Sequence, residues 1–179
     1  FLSLALSCSS ATDEPSSTSA RSLPNIVLVI GCTLRRDRLT PYTSDLKTAP
    51  FLNELAKSGA LFEQHYAQAP WTRPSLGSIL TGLYPRRLNL DSKNDARQSR
   101  VLSENWSTIA EFLKDAGYRT IGVASNPNAL KRFGFGQGFD VYEDTKGTTV
   151  EGVSLTSAQQ QTQLILKELE SASKETPFY

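Results

Sequence analysis

The sequence contains no methionine, a single histidine (His65) and two cysteines (Cys8 and Cys32) among 179 residues. One imidazole excludes a metal centre built from several histidines, and a Ser-His-Asp triad would have to pass through His65. Two cysteines permit one disulfide at most, which excludes a cystine-stapled scaffold. Charge of one sign is also lacking: 19 Lys and Arg against 18 Asp and Glu leave a formal +1, so no charge excess argues for a nucleic-acid partner. No run of about 18 apolar residues is present to cross a membrane. What is there, 39% hydrophobic and 21% charged residues, is an ordinary globular composition that excludes a collagen, a coiled-coil rod and a wholly disordered chain. The length suits one domain of about 150 residues with a tail.

Because the chain opens at Phe1 without an initiator, it reads as a piece of a longer protein. Residues 1–8, apolar and ending in Ser7-Cys8, read as the end of a secretory signal in which Cys8 becomes a lipidated first residue. The expectation is therefore an exported, periplasmic or lipid-anchored bacterial envelope protein, touching a membrane only through Cys8. Residues 9–23, rich in Ser, Thr and acidic side chains, read as a flexible tether.

The domain begins at Pro24. The continuous β-branched run Ile26–Ile30 predicts a strand covered on both faces, and Gly31 ends it. Thr48 is the expected cap of a helix whose apolar face is Phe51, Leu52, Leu55 and Ala56, closed by Gly59. A second strand is expected over Leu61–Tyr66, and a short helix over Ser75–Leu80 with Gly82 as its stop. Tyr84–Gln98 reads as a polar, basic loop. Thr108 and Glu111 have capping-box spacing for a helix Ile109–Ala116, ended by Gly117, and Tyr118–Ala124 reads as a strand. Gly134-Phe135-Gly136-Gln137-Gly138 has the look of a phosphate loop, but it follows no strand and lacks the Lys-Ser/Thr ending, so a turn-rich loop is expected. Thr156 and Gln159 are the expected cap of a long helix buried through Ile165, Leu166 and Leu169. Pro177-Phe178-Tyr179 reads as the start of another strand.

Alternating strands and helices argue for an α/β domain, whose functional groups collect at the carboxyl ends of the strands. Two segments meet that condition. Cys32 and Thr33 follow the first strand directly. Thr72, in Ala69-Pro70-Trp71-Thr72-Arg73-Pro74-Ser75, stands before a helix whose free N–H groups favour an anion.

At these residues the sequence resembles the sulfatase and alkaline phosphatase superfamily. The resemblance runs through Pro24–Ile30, Thr48–Leu52, Gly59–Phe62, Ala69–Ser75 into Leu80–Pro85, and on through Gly117–Thr120, Ser125–Asn128 and Arg132–Phe135. It implies a three-layer α/β/α sandwich of the alkaline phosphatase-like type, with its C-terminal side beyond this chain. It also implies a sulfatase-like, metal-dependent hydrolase or transferase of sulfuric or phosphoric esters, with a small-molecule or glycan ester as substrate. Thr72 occupies the family's nucleophile position, where other members carry Cys, Ser or Thr. Thr72-Arg73-Pro74-Ser75-Leu76 departs at both ends from the Cys/Ser-x-Pro-x-Arg frame in which formylglycine is made, which argues against that cofactor. Arg73, Ser75 and Asn126 are the expected substrate-binding residues. Cys32, Thr33 and Thr72 are the expected metal ligands; a thiolate suits zinc better than calcium or magnesium, so the divalent ion stays open.

Plainer readings stand beside these. Thr72 also serves as an ordinary helix cap, Cys32 as a small buried hydrophobe, and Arg35, Arg36 and Arg38 as a solvated face with Asp37 as their salt-bridge partner. His65 is read as structural. A catalytically inactive relative that binds an anionic glycan or lipid headgroup is the competing functional class.

Overall fold

The computed structural model describes residues 23–43, 45–90, 101–144, 148–150, 153–155, 158–172 and 175–179. The segments expected as the signal end, with Cys8, and as most of the tether lie outside them.

The sheet is assembled from short parallel pieces. Strand β1 (Ile121–Ala124) pairs in parallel with β2 (Val141–Asp144), Gly122 facing Tyr142 across the ladder. On the other side of β1, Arg119 bridges Phe178 in parallel. Beyond that, the Ile26 N–H donates to the Phe178 carbonyl at 2.8 Å. The order across the sheet is thus Ile26, Phe178, β1, β2. The expected strand Ile26–Ile30 is realised only at Ile26, and Val27 to Ile30 remain extended but unpaired. Leu61–Tyr66, also expected as a strand, has no ladder and is exposed. A hairpin of β3 (Thr148–Val150) and β4 (Val153–Leu155) was not anticipated.

Helices lie on both faces. Side chains alternate along β1, so the parity of position assigns each helix. Tyr118, on the even-numbered face, packs with Ala110 of α3 (Ile109–Asp115). Tyr142 on that face shares a buried cluster with Leu80 of α2 (Thr72–Thr81), and Ala124 packs against that cluster. Arg119, of opposite parity, pairs with Glu168 of α4 (Ala158–Glu170) at 3.1 Å. The result is the expected α/β/α layering. The main core lies under α2, where Leu80, Leu88, Leu90, Leu102, Phe133, Phe135 and Tyr142 meet.

Several local expectations need correction. Helix α1 (Pro50–Ser58) is capped by Ala49 and not by Thr48, whose hydroxyl donates instead to the Arg38 carbonyl. Of the loop expected over Tyr84–Gln98, residues 91–98 lie outside the described residues; in the described part Leu88 and Leu90 are buried against Gly77 of α2, where an added Cβ would meet Leu90 Cδ1 at 2.6 Å. On α4, Leu164, Glu168 and Leu169 turn inward while Ile165 and Leu166 are exposed. A wide apolar stripe left two faces open, and the position of β1 selects between them. The Thr156 half of its expected cap lies outside the described residues.

Other expectations hold. Thr108 and Glu111 form the full capping box of α3. Gly82 ends α2 in the left-handed conformation, φ 70°, with its N–H on the Ser78 carbonyl. The glycine-rich segment is a turn: Gly134 and Gly138 both have φ 83°, and between them Phe135 is fully buried.

Candidate active site

Helix α2 starts at Thr72, three residues earlier than expected, with Trp71 at the cap position and no side chain capping it. Thr72 is therefore a first-turn residue, and the plain reading as a cap does not hold. Its backbone N–H and that of Arg73 are among the first-turn groups without an intrahelical partner, and Pro74 has none to offer. The helix start thus presents free N–H groups and the positive end of its dipole where Thr72 Oγ1 stands.

Three expected residues converge there. Cys32 Sγ lies 3.6 Å from Thr72 Oγ1, and Asn126 Nδ2 donates to the same sulfur at 3.0 Å. Cys32 follows the Ile26 segment and Asn126 follows β1, so both occupy the carboxyl edge of the sheet, the place where α/β proteins build sites. Cys32 is exposed there, contrary to its reading as a buried hydrophobe. Thr33 stands apart: its hydroxyl donates to the Cys32 carbonyl at 2.7 Å. Its φ of 57° is a left-handed conformation that a β-branched residue adopts only at a cost.

Behind the convergence runs a chain of polar contacts. The Asn128 N–H donates to Asn126 Oδ1 at 2.8 Å, which leaves Nδ2 directed at the sulfur. Asn128 Oδ1 in turn accepts from Arg73 Nε at 3.2 Å. Asn128 is the residue that sequence reasoning missed, although an Asn whose side chain holds the N–H two residues on is a common turn device, legible in Asn126-Pro127-Asn128. The Arg73 guanidinium lies 3.5 Å from the centre of the Phe133 ring. Burial, and then repulsion from Arg132, lower its pKa, though a guanidinium stays charged throughout the working range. Ser75 is half-buried on the first turn of α2.

The remaining candidates are engaged locally. Asp37 pairs with Arg35 at 2.7 Å and with Arg38 at 3.7 Å, as expected. Arg36 donates to the Glu63 carbonyl at 2.6 Å. His65 is exposed, its ring tilted against that of Phe62.

Comparison with known proteins identifies the family and the fold. The Sulfatase family model matches residues 24–179. Human Arylsulfatase D is 34% identical over 115 residues, covering 61% of this chain and 19% of that protein. Human Iduronate 2-sulfatase is 34% identical over 125 residues, covering 69% and 22%. An N-acetylgalactosamine-6-O-sulfatase of Bacteroides thetaiotaomicron is 30% identical over 97 residues, covering 54% and 19%. The chain thus spans about a fifth of the length of these relatives. A solved structure of a candidate sulfatase from the same bacterium superposes with a TM-score of 0.59 at 19% identity, covering 81% of this chain and 31% of its own, which establishes the shared alkaline phosphatase-like fold. The chain belongs to the Sulfatase family.

Proposed function

We propose that this chain is the N-terminal part of a metal-dependent hydrolase or transferase of sulfuric or phosphoric esters, with Thr72 as its nucleophile. The observation that carries this reading is the approach of Thr72 Oγ1 to Cys32 Sγ, 3.6 Å apart at the open start of α2. Relatives named for iduronate and N-acetylgalactosamine sulfates support a glycan ester among the substrate classes.

The donor set fits part of a cation site. Zinc with sulfur at about 2.3 Å and oxygen at about 2.1 Å in tetrahedral geometry sets the two donors roughly 3.6 Å apart. Cys32 and Thr72 meet that spacing. Thr33, turned onto its own backbone, would have to rotate to join them. No cluster of three His, Cys, Asp or Glu exists among the described residues, so these two side chains are what the described residues bring together there. A divalent ion bound there supplies Lewis-acid stabilisation of the Thr72 oxygen as it gains charge.

Thr72 Oγ then bonds to phosphorus or sulfur while the bond to the ester oxygen breaks, and the hydroxyl proton finishes on that departing oxygen. The anionic oxygens of the transferring group rest against the backbone N–H groups of Thr72 and Arg73 and against Asn126. Ser75, deeper in the helix, donates to the anion and does not attack. Because Thr72 and Leu76 break the formylglycine frame, the intermediate is a threonine ester. Water or an acceptor alcohol releases it.

The test is turnover of an aryl phosphate and an aryl sulfate by the full-length protein, with intact-mass analysis of trapped enzyme. Thr72→Ala loses about a thousandfold or more and Ser75→Ala less than tenfold, bearing in mind that such losses are not additive shares. Full activity in Thr72→Ala overturns the assignment. Anion binding with no conversion by the wild type replaces it with the inactive, glycan- or headgroup-binding relative.

A further inference from the structure

Two guanidinium groups lie against one buried ring beside the proposed nucleophile. Arg73, adjacent to Thr72 in the chain, has Cζ 3.5 Å from the Phe133 ring centre, and Arg132 has Cζ 4.9 Å from the same centre. Phe133 is only 7% exposed, so its position is set by the core and the cations adapt to it. Neither arginine has a carboxylate partner among the described residues. Arg36 and Arg87 also lie on aromatic rings, but each is alone on its ring, over Tyr42 and Trp106. The charges of Arg73 and Arg132 fall within about a Debye length of each other; burial, and then repulsion from Arg132, lower the pKa of Arg73.

We propose that Arg73 and Arg132, arrayed on Phe133, form a subsite for a second anionic group of the substrate, next to the ester held at Thr72. A cation–π contact alone accounts for one guanidinium on the ring. Two like charges there are repulsive until an anion joins them, and a planar fork on each matches a carboxylate or a sulfate in bidentate fashion. Arg73 is held for this task. Its Nε is fixed on Asn128 Oδ1, and Asn128 is tied through Asn126 to Cys32. The same chain of contacts therefore sets the spacing between the subsite and Thr72. The substrate class is an ester that carries another acid group on the adjoining unit.

This subsite rests on the ester-transfer reading only for its ligand, and a binding measurement separates the two. The full-length protein is titrated calorimetrically with a sulfated disaccharide bearing a uronic carboxylate, with its carboxyl-reduced counterpart, and with a disaccharide carrying a second sulfate in that place. The wild type is expected to bind the carboxylate or the second-sulfate form about tenfold more tightly than the reduced form, and which of the two is tighter names the natural group. Arg132→Gln, at an exposed position, abolishes that preference. Arg73→Lys, which keeps the charge but loses the fork, weakens it by several-fold. Equal affinity for all three ligands, equal losses for all three in Arg132→Gln, or no binding of any of them overturns the subsite. Thr72→Ala retains the preference even where turnover is lost or was never present, so failure of the nucleophile assignment leaves a distinct signature.

Discussion

Gly138 and Gly117 both hold left-handed backbones, φ 83° and 91°, yet replacing each by alanine has different consequences. At Gly117 a Cβ meets nothing within 4 Å, so Gly117→Ala costs only the left-handed conformation, about 1–2 kcal/mol. At Gly138 the same atom would sit 2.5 Å from the Glu111 backbone N and 2.9 Å from Thr108 Oγ1. These atoms belong to the capping box of α3 and cannot swing aside as the end of a flexible chain does. Overpacking of this kind costs about 1–3 kcal/mol and a lost cap about 1 kcal/mol. Gly138→Ala thus loses about 3–6 kcal/mol, a large part of the 5–15 kcal/mol margin typical of a domain. Urea unfolding of both full-length variants measures the difference through the shift in midpoint. Equal losses in the two variants would refute the packing argument. A Gly138→Ala protein of normal stability that binds phosphate poorly would restore the phosphate-loop reading of this segment.

Asp140 carries a second expectation. Its hydrogen bond to Lys114, then that from the Thr120 N–H, hold its pKa below the ordinary value. The carboxylate therefore contributes its full stabilisation above the unfolded value of about 4 and loses it as pH falls through the lowered folded value. Asp140→Asn flattens this acid limb in pH-dependent unfolding of the full-length protein; an unchanged limb disproves the contribution. For the metal, Cys32→Ser lowers the zinc content of the full-length protein at least several-fold, measured by elemental analysis, and equal content in both proteins removes Cys32 as a ligand. For the export we propose, fatty-acid labelling of the precursor marks Cys8 in the wild type and not in Cys8→Ser, and an unlabelled, cytosolic wild type rules out the anchor.

Legibility in the sequence tracked the range of the interactions involved. The capping box at Thr108 and Glu111 and the stop at Gly82 depend on contacts within one helical turn, so neighbouring residues decided them. The turn at Gly134 to Gly138 was legible for the same reason, since the chain there lacks the residues a phosphate cradle requires. The family pattern from Pro24 onward likewise marked Thr72, Cys32 and Asn126 individually as site residues.

Their meeting is a tertiary event. Cys32 is 40 residues from Thr72 and 94 from Asn126, and only the parallel sheet, which brings the ends of separate strands to one edge, closes those gaps. The same dependence explains the misreadings. Val27–Ile30 has strong strand composition but no ladder partner among the described residues, whereas polar-flanked Leu88 and Leu90 are buried because Gly77 opens a space for them beneath α2. On α4 the stripe of apolar residues left the inner face undecided until Arg119, at the edge of β1, met Glu168. Local spacing thus marked most of the helical elements and their stops, and the family resemblance marked the candidate site residues. Long-range pairing decided which of those elements are completed and which of those residues touch, because a hydrogen-bond ladder and a packed face each require a second surface that no local stretch contains.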